Sequence, residues 1–513
     1  MSPRPATFDD LRRRRWELLA LTSVGAFVNP FLGAVTSVAL PAISADLGLS
    51  FSTSMWVQAA YLIVMAVLLI PLGRLADERG RVLFYLLGMV VFAAGSLLCA
   101  VSPGGTWLIG ARGLQGAGAA LLGATAVAIV TAAFPPQERG RALGINVAAV
   151  YLGLSVGPPV GGVLTDAFGW QSIFLVNVPM GVAVVLWGWR LLPRDEGAAP
   201  RVSRPDVAGA ALLGGFLICL LVPLTFAPQW GWVGARSLAL LLLAVAFLVA
   251  FVLVERRTSD PLVDLDLLVH NRLFAAANTA ALLNYMALFA ISMLTAVFLQ
   301  VVQGRSAALT GWIMLSQPLM QTALAPVAGR LSDRVGSRVL ATGGMVLTAV
   351  GMLLLGALPA DAGLPRLIAS LAVVGVGMAA FSAPNTSAVM GSVGRHQLSL
   401  AGAFLSTMRS AGMALSVAVL GGIAASRLGR VGGQVIFGNG ATGSAAQAAN
   451  VAADFAQGYS YAMYTGAALA AFGALVSLTR GPHGGTVPET HGGTGPAGPP
   501  APAVADDVSA SGD

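Results

Sequence analysis

The sequence predicts an all-α membrane protein that crosses the bilayer fourteen times, and three observations predict it. Of 513 residues, 56% are hydrophobic and only 10% charged, with a mean hydropathy of +0.79. A soluble fold carries roughly a quarter charged residues, because its surface has to face water. Apolar runs of membrane-spanning length recur from one end of the chain to the other. All 29 basic residues are arginine, and they collect on alternate connections between those runs. The net charge of +7 would suggest a nucleic-acid partner in a soluble domain. Its distribution points to membrane orientation instead.

A membrane helix needs about 20 apolar residues, since the hydrocarbon core is roughly 30 Å thick and a helix rises about 1.5 Å per residue. Charge-poor runs bounded by Arg, Asp and Gly/Pro turns fall at 18–43, 54–73, 82–102, 106–133, 140–165, 172–192, 206–226, 236–254, 273–301, 309–328, 338–358, 366–390, 398–424 and 459–479. The first is too long for a cleaved leader, and thirteen more follow it. With residues 1–17 in the cytoplasm, twenty-two arginines face inside and five outside, while Arg112 and Arg409 stay within spans. Dropping any one span scrambles this asymmetry, which is the signature of the positive-inside rule. Both termini are therefore placed in the cytoplasm. Residues 425–458, made of Gly, Ala, Gln and Asn, read as a flexible outer loop. The Gly/Pro/Ala/Thr-rich tail 481–513 reads as disordered. Cys99 and Cys219 lie in apolar runs, which excludes a disulfide framework and a Cys-based metal site.

The stretch from Gly73 to Arg81 (GRLADERGR) recurs from Gly329 to Arg338 (GRLSDRVGSR). One copy follows span two and the other span ten, so both face the cytoplasm. Duplication at corresponding positions is how secondary transporters are built. Two six-span halves would set the copies six spans apart; here they are eight apart. Two extra spans over 206–254 account for the difference, leaving six-span bundles over 18–192 and 273–479.

These residues resemble the major facilitator superfamily, and within it the fourteen-spanner drug/proton antiporter family. The family signature G-x-L-a-D-r-x-G-R-r is matched from Gly73 to Arg81, with Val82 replacing the last basic residue. Leu108 to Ala120, containing Arg112, Gln115 and Gly116, is similar to the fourth-span motif. Gly153, Gly157, Pro158, Gly161 and Gly162 resemble the fifth-span motif associated with exporters. The segment from Trp56 to Leu62 opens span two, and that from Phe174 to Gly181 marks span six, as in the family. The resemblance implies the major facilitator fold, two six-helix bundles plus two central helices, in a bacterial plasma membrane. It also implies export of an amphipathic drug, antibiotic or secondary metabolite by alternating access and proton antiport. Lipid and protons are the other partners, the chain acts as a monomer, and no cofactor is needed beyond the proton gradient.

Each motif has a physical reading. Gly73, Asp77, Arg79, Gly80 and Arg81, with Gly329, Asp333, Arg334 and Gly336, form a latch that holds one conformation, or a charged turn that merely obeys charge bias. Arg112 sits about 9 Å into span four at helical rise, as a coupling residue working with Asp77 or as an arginine snorkelling to the surface. The Gly/Pro run of span five is a hinge or a close-packing face. The family commonly has an aspartate in span one, where this chain has Leu32, and no span holds a central acid. A neutral or anionic amphiphile therefore suits the cavity. Asn29, Gln58, Tyr61, Gln115, Asn146, Tyr151, Asn284, Gln317, Gln321, Asn385 and Arg409 are the polar residues available to line it. A facilitator or uptake symporter is the alternative, which the fifth-span motif disfavours. An enzyme would need an acid–base pair, nucleophile or metal site. The four histidines (His270, His396, His483 and His491) are scattered and supply none.

Overall fold

Three helices start at a short polar side chain that caps them, and three end at a glycine with positive φ, Gly80, Gly169 and Gly336. Ser50, Asn271 and Ser306 accept from the backbone nitrogens of Thr53, Phe274 and Leu309 at 3.2, 3.0 and 3.2 Å, satisfying donors that the first turn leaves free. The computed structural model describes residues 14–191, 206–231, 233–258, 269–393, 398–427 and 445–480. The start of the N-terminal segment and the tail from residue 481 thus lie outside the described residues.

The helices are α1 (Arg15–Asp46), α2 (Phe51–Arg79), α3 (Arg81–Ala100), α4 (Gly105–Ala133), α5 (Pro136–Phe168), α6 (Ser172–Leu175), α7 (Asn177–Leu191), α8 (Val207–Trp230) and α9 (Ala235–Glu255). There follow α10 (Arg272–Val297), which ends in a π-helical turn (Phe298–Val302), α11 (Ala307–Met314) and α12 (Ser316–Val335). The last four are α13 (Ser337–Gly356), α14 (Leu364–Gly391), α15 (Leu398–Ala425) and α16 (Ala445–Leu478). No strand occurs among the described residues. Among the described residues, eleven helical segments are long and apolar enough to cross a membrane. Shorter apolar stretches occur at Thr53–Leu69 in α2 and Ala208–Leu224 in α8. Expected spans six and ten are each broken into two helices, at Val176 and Leu315.

One expectation needs correction. Residues 445–458, read from sequence as part of an outer loop, are the first turns of α16. Alanine and glutamine are good helix formers even where hydropathy is low, and the loop reading rested on hydropathy. Residues 428–444 of that loop lie outside the described residues.

The repeat seen in sequence is a repeat in backbone. Gly80 ends α2 and opens α3 with φ +111°, and Gly336 joins α12 to α13 with φ +88°. Only glycine adopts such values without steric cost. The duplication continues through close helix approaches that no motif announced. A Cβ on Gly95 of α3 would lie 2.8 Å from the Gln115 backbone nitrogen of α4, and one on Gly351 of α13 would lie 2.9 Å from that of Val374 of α14. Gly118 meets Phe92 N as Gly377 meets Thr348 N, at 2.5 and 2.6 Å by the same measure. Gly116 abuts the Tyr61 carbonyl, and Gly375 the Gln317 carbonyl. Gly153 abuts Phe27 O, and Gly412 abuts Leu282 O. These pairs fix the register between halves: Asn29 corresponds to Asn284, Tyr61 to Gln317, Gln115 to Val374 and Arg112 to Leu371.

The two halves meet at the end away from the Gly80 and Gly336 turns. There Gln300 Nε2 donates to Val38 O at 2.8 Å and Ala308 N donates to Asp166 Oδ2 at 2.8 Å. Gly162 packs on Ala307, Gly311 on Pro158, and Gly421 on Met55. Val38, Ala296, Ala307 and Met314 form a buried cluster across this seam. Nearer the middle, Ser155 and Thr322 hydroxyls lie 3.2 Å apart.

Candidate substrate and coupling site

Arg112 does not snorkel. It is fully buried within the first half, on α4, held by Val57 O of α2 (Nε, 2.8 Å) and Gln115 Oε1 (Nη1, 2.5 Å). Gln115 in turn donates to Ser96 Oγ of α3 at 2.7 Å. The Tyr61 ring covers the guanidinium at 4.4 Å and the Phe174 ring at 6.0 Å, contacts that stabilise a desolvated cation. The Tyr61 hydroxyl bonds to Asn29 Oδ1 of α1. Arg112 Nη2 is left without an acceptor. No carboxylate pairs with Arg112 among the described residues, and Leu32, standing where the family often has aspartate, is buried in the apolar core.

A second polar group forms where α5 of the first half meets the second half. The Tyr151 hydroxyl lies 3.4 Å from Ser382 Oγ of α14 and also faces Gln321, Tyr285 and Arg409. Arg409 of α15 donates from Nη2 to Thr386 Oγ1 at 2.6 Å, with its guanidinium 5.6 Å from the Tyr285 ring. Behind this group Arg480, just past α16, donates to Asn385 Oδ1.

The expected cavity residues are thus separated rather than gathered. Asn29, Tyr61 and Gln115 belong to the Arg112 network, while Tyr151, Gln321 and Arg409 share the junction between halves. Gln58 is committed to Ser37 at 3.0 Å inside the first half. Asn146 Nδ2 and both polar atoms of Asn284 are buried without partners, and Gln317 sits at the position matching Tyr61. An apolar groove of about 390 Å³, lined by Ser155, Pro159, Val163, Trp312 and Leu315 among others, runs along the seam and contains no charged residue. It does not include the Arg409 group.

The expected hinge glycines all make close helix contacts. Gly153, Gly157 and Gly161 face α1, and Gly162 faces α11 across the seam. Of the latch, Gly73 lies against Ala124, while Arg79 and Arg334 are exposed. The side chains of Asp77 and Asp333 lie outside the described residues. Sequence reasoning missed Tyr285, Ser382, Thr386 and Arg480 as site residues. Arg480 reads from sequence as a loop arginine because it stands directly after the last expected span, 459–479. Both cysteines are free and buried, and no metal-holding group occurs among the described residues.

Comparison with known proteins agrees with this architecture. The family model of the Major Facilitator Superfamily matches residues 22–255 and 277–503. The riboflavin transporter RibZ of Clostridioides difficile is 32% identical over 412 residues, 79% of this chain and 87% of that protein. The multidrug resistance protein Stp of Mycobacterium tuberculosis is 33% identical over 81% of this chain and 77% of its own. The tetracenomycin C resistance and export protein of Streptomyces glaucescens is 32% identical over 82% of this chain and 78% of its own. Among solved structures, a bacterial homolog of the human lysosomal transporter Spinster, inward-facing and unoccupied, superposes with a TM-score of 0.66. It covers 91% of this chain and 97% of that one at 15% identity, a likeness of fold. Matched along most of its length, and with drug and antibiotic exporters among its relatives, the chain belongs to the Major Facilitator Superfamily and is a membrane transporter, not an enzyme.

Proposed function

We propose that the protein expels amphipathic small molecules by alternating access, exchanging them for protons. The observation that carries this reading is a pair of halves with matching glycine approaches, held together at one end by glycine contacts and hydrogen bonds. A junction of that kind opens at the other end when the halves rock. Similarity to Stp and to the tetracenomycin exporter supports export and an amphipathic substrate. In this reading there are fourteen spans in a six, two and six arrangement, with both termini cytoplasmic as the arginine distribution requires. The Gly80 and Gly336 turns, with Asp77 and Asp333, latch the cytoplasmic ends, and Gly153 to Gly162 flex during rocking. Arg112 couples the proton near one end of α2, and Asp77 is the acid at the other, cytoplasmic end of that helix.

Reconstitution into liposomes tests this. With an imposed pH gradient, amphipathic dyes such as ethidium, rhodamine 6G and fluorescein are offered, and at least one accumulates against its gradient until a protonophore is added. Accumulation that ignores the protonophore removes proton exchange and leaves export. A second reading, a transporter dedicated to one solute, draws support from similarity to RibZ. Strict selectivity for a flavin over all three dyes would favour it.

A further inference from the structure

Two guanidinium groups reach neighbouring residues of one helix. Arg409 bonds to Thr386 and Arg480 to Asn385. Neither has a carboxylate partner among the described residues, so neither charge is neutralised by an acid there. Nor are their donors spent. Arg480 is 1% exposed, yet its Nε and Nη1 have no acceptor, and Asn385 Nδ2 and Arg409 Nε have none either. Buried donors in native structures are almost always paired, so a cluster with surplus donors and no acceptor is chemically incomplete. An incoming group rich in acceptors and negative charge completes it.

The register between halves shows that this chemistry is particular to the second half. Gly153 corresponds to Gly412, so Arg409 corresponds to Val150, an uncharged residue on α5. A position that merely supported the shared fold would not need a cation in one copy alone. Arg409 is half-buried and faces Tyr151 across the junction, which puts it where a bound molecule touches both halves. Tyr285 offers an aromatic face beside it.

We propose that this junction is an anion-binding subsite in which Arg409 holds the carboxylate or phenolate of an amphipathic, aromatic substrate and Arg480 reinforces it through Asn385. The proposal rests on the transporter reading and names the class of molecule that it carries. A cation is disfavoured at the same place by repulsion from both guanidinium groups, and Ser382 and Thr386 add neutral hydrogen-bonding partners.

The test uses full-length protein in lipid nanodiscs and two dyes that share a xanthene ring. Fluorescein is anionic at pH 8 and rhodamine 6G is cationic; fluorescence anisotropy reads their affinities. Wild-type protein binds fluorescein about tenfold or more tightly than rhodamine 6G. Arg409→Gln lowers fluorescein affinity by about tenfold or more and leaves rhodamine 6G unchanged or tighter, the size expected for one charge-assisted hydrogen bond. Arg409→Lys keeps the charge and retains part of the preference. Wild-type protein without a preference for fluorescein, or an Arg409→Gln variant with full affinity for it, would overturn the proposal. Arg480→Gln reports on folding as well as binding because the residue is so deeply buried, so Arg409→Gln decides the outcome. Binding is measured without a gradient, which separates the two readings. Selective binding with no uphill movement in liposomes sinks export and leaves the subsite, whereas uphill movement with no charge preference does the reverse.

Discussion

The two halves of the molecule share a frame and differ in what they place on it. Gly95 against Gln115 is matched by Gly351 against Val374, and Gly116 against Tyr61 by Gly375 against Gln317. The first half puts a buried arginine into that frame and surrounds it with Gln115, Tyr61, Phe174 and the Val57 carbonyl. At the matching places the second half has Leu371 and Val374, both buried and apolar. Its own cations, Arg409 and Arg480, stand where the two halves meet or just behind. Duplicated backbone therefore does not mean duplicated side-chain chemistry. We read the first half as the seat of coupling and the second as the seat of binding.

The largest test of that division compares matching positions. Arg112→Ala is expected to lower uphill transport in liposomes by about a hundredfold or more, since a desolvated functional charge has no substitute there. No carboxylate is orphaned by the change among the described residues, so insertion and a sharp melting transition persist. Leu371→Ala costs packing, about 2–5 kcal/mol on unfolding, while transport of the surviving protein continues. Equal loss of transport in both variants would end the assignment of coupling to one half.

Next comes the seam. At Gly311 any side chain meets the Pro158 carbonyl, and at Gly162 it meets Ala307. Gly311→Val should pry this end open, cutting transport by about tenfold or more because packed interfaces do not deform smoothly. Cysteine labelling near Gln300 would rise in step. Gly343→Ala is its control: a Cβ there has no neighbour within 4 Å, and stability should shift by no more than about 0.5 kcal/mol.

The two latch turns provide a finer comparison. Gly80→Ala and Gly336→Ala each force a side chain into left-handed backbone at about 1–2 kcal/mol. Thermal unfolding should register nearly equal losses. A difference larger than that range between the two would show that the turns are not equivalent in spite of their shared geometry.

The smallest expected effect belongs to Arg480, whose guanidinium burial pushes down to about 10, well below the ordinary arginine range. Below about pH 9 the group is charged in both folded and unfolded chains, so its burial cost is constant. As pH rises through about 10 the folded chain sheds the proton before the unfolded chain does, and stability rises with it. Melting curves between pH 8.5 and 11 should show that gain in wild-type protein and its absence in Arg480→Gln. Identical pH profiles would mean that Arg480 keeps its ordinary proton affinity.

Much of this could be read from the chain because its signals were local. The Gly80 and Gly336 turns follow from contiguous motifs, since glycine at a helix junction is a statement about φ. Arg112 declared itself as a charge inside an apolar run. Its partners did not: Val57 and Phe174 come from two other helices, and Ser96 of a third joins through Gln115. Arg480 looked like one more loop arginine, because its burial depends on α14 carrying Asn385 past the end of α16. The early start of α16 was hidden for a different reason, since an alanine- and glutamine-rich segment is helical without being strongly apolar.

By itself the sequence determined membrane residence, helical class and internal duplication. Each follows from solvation: apolar runs leave water, backbone groups in lipid must pair within helices, and arginine avoids crossing. Which polar residues share a site was decided only by tertiary structure. Helix rotation sends one amide into the bundle and its neighbour to the junction. That rotation is set by glycine contacts between helices far apart in the chain, and it left Gln58 with Ser37 while bringing Arg409 to Tyr151.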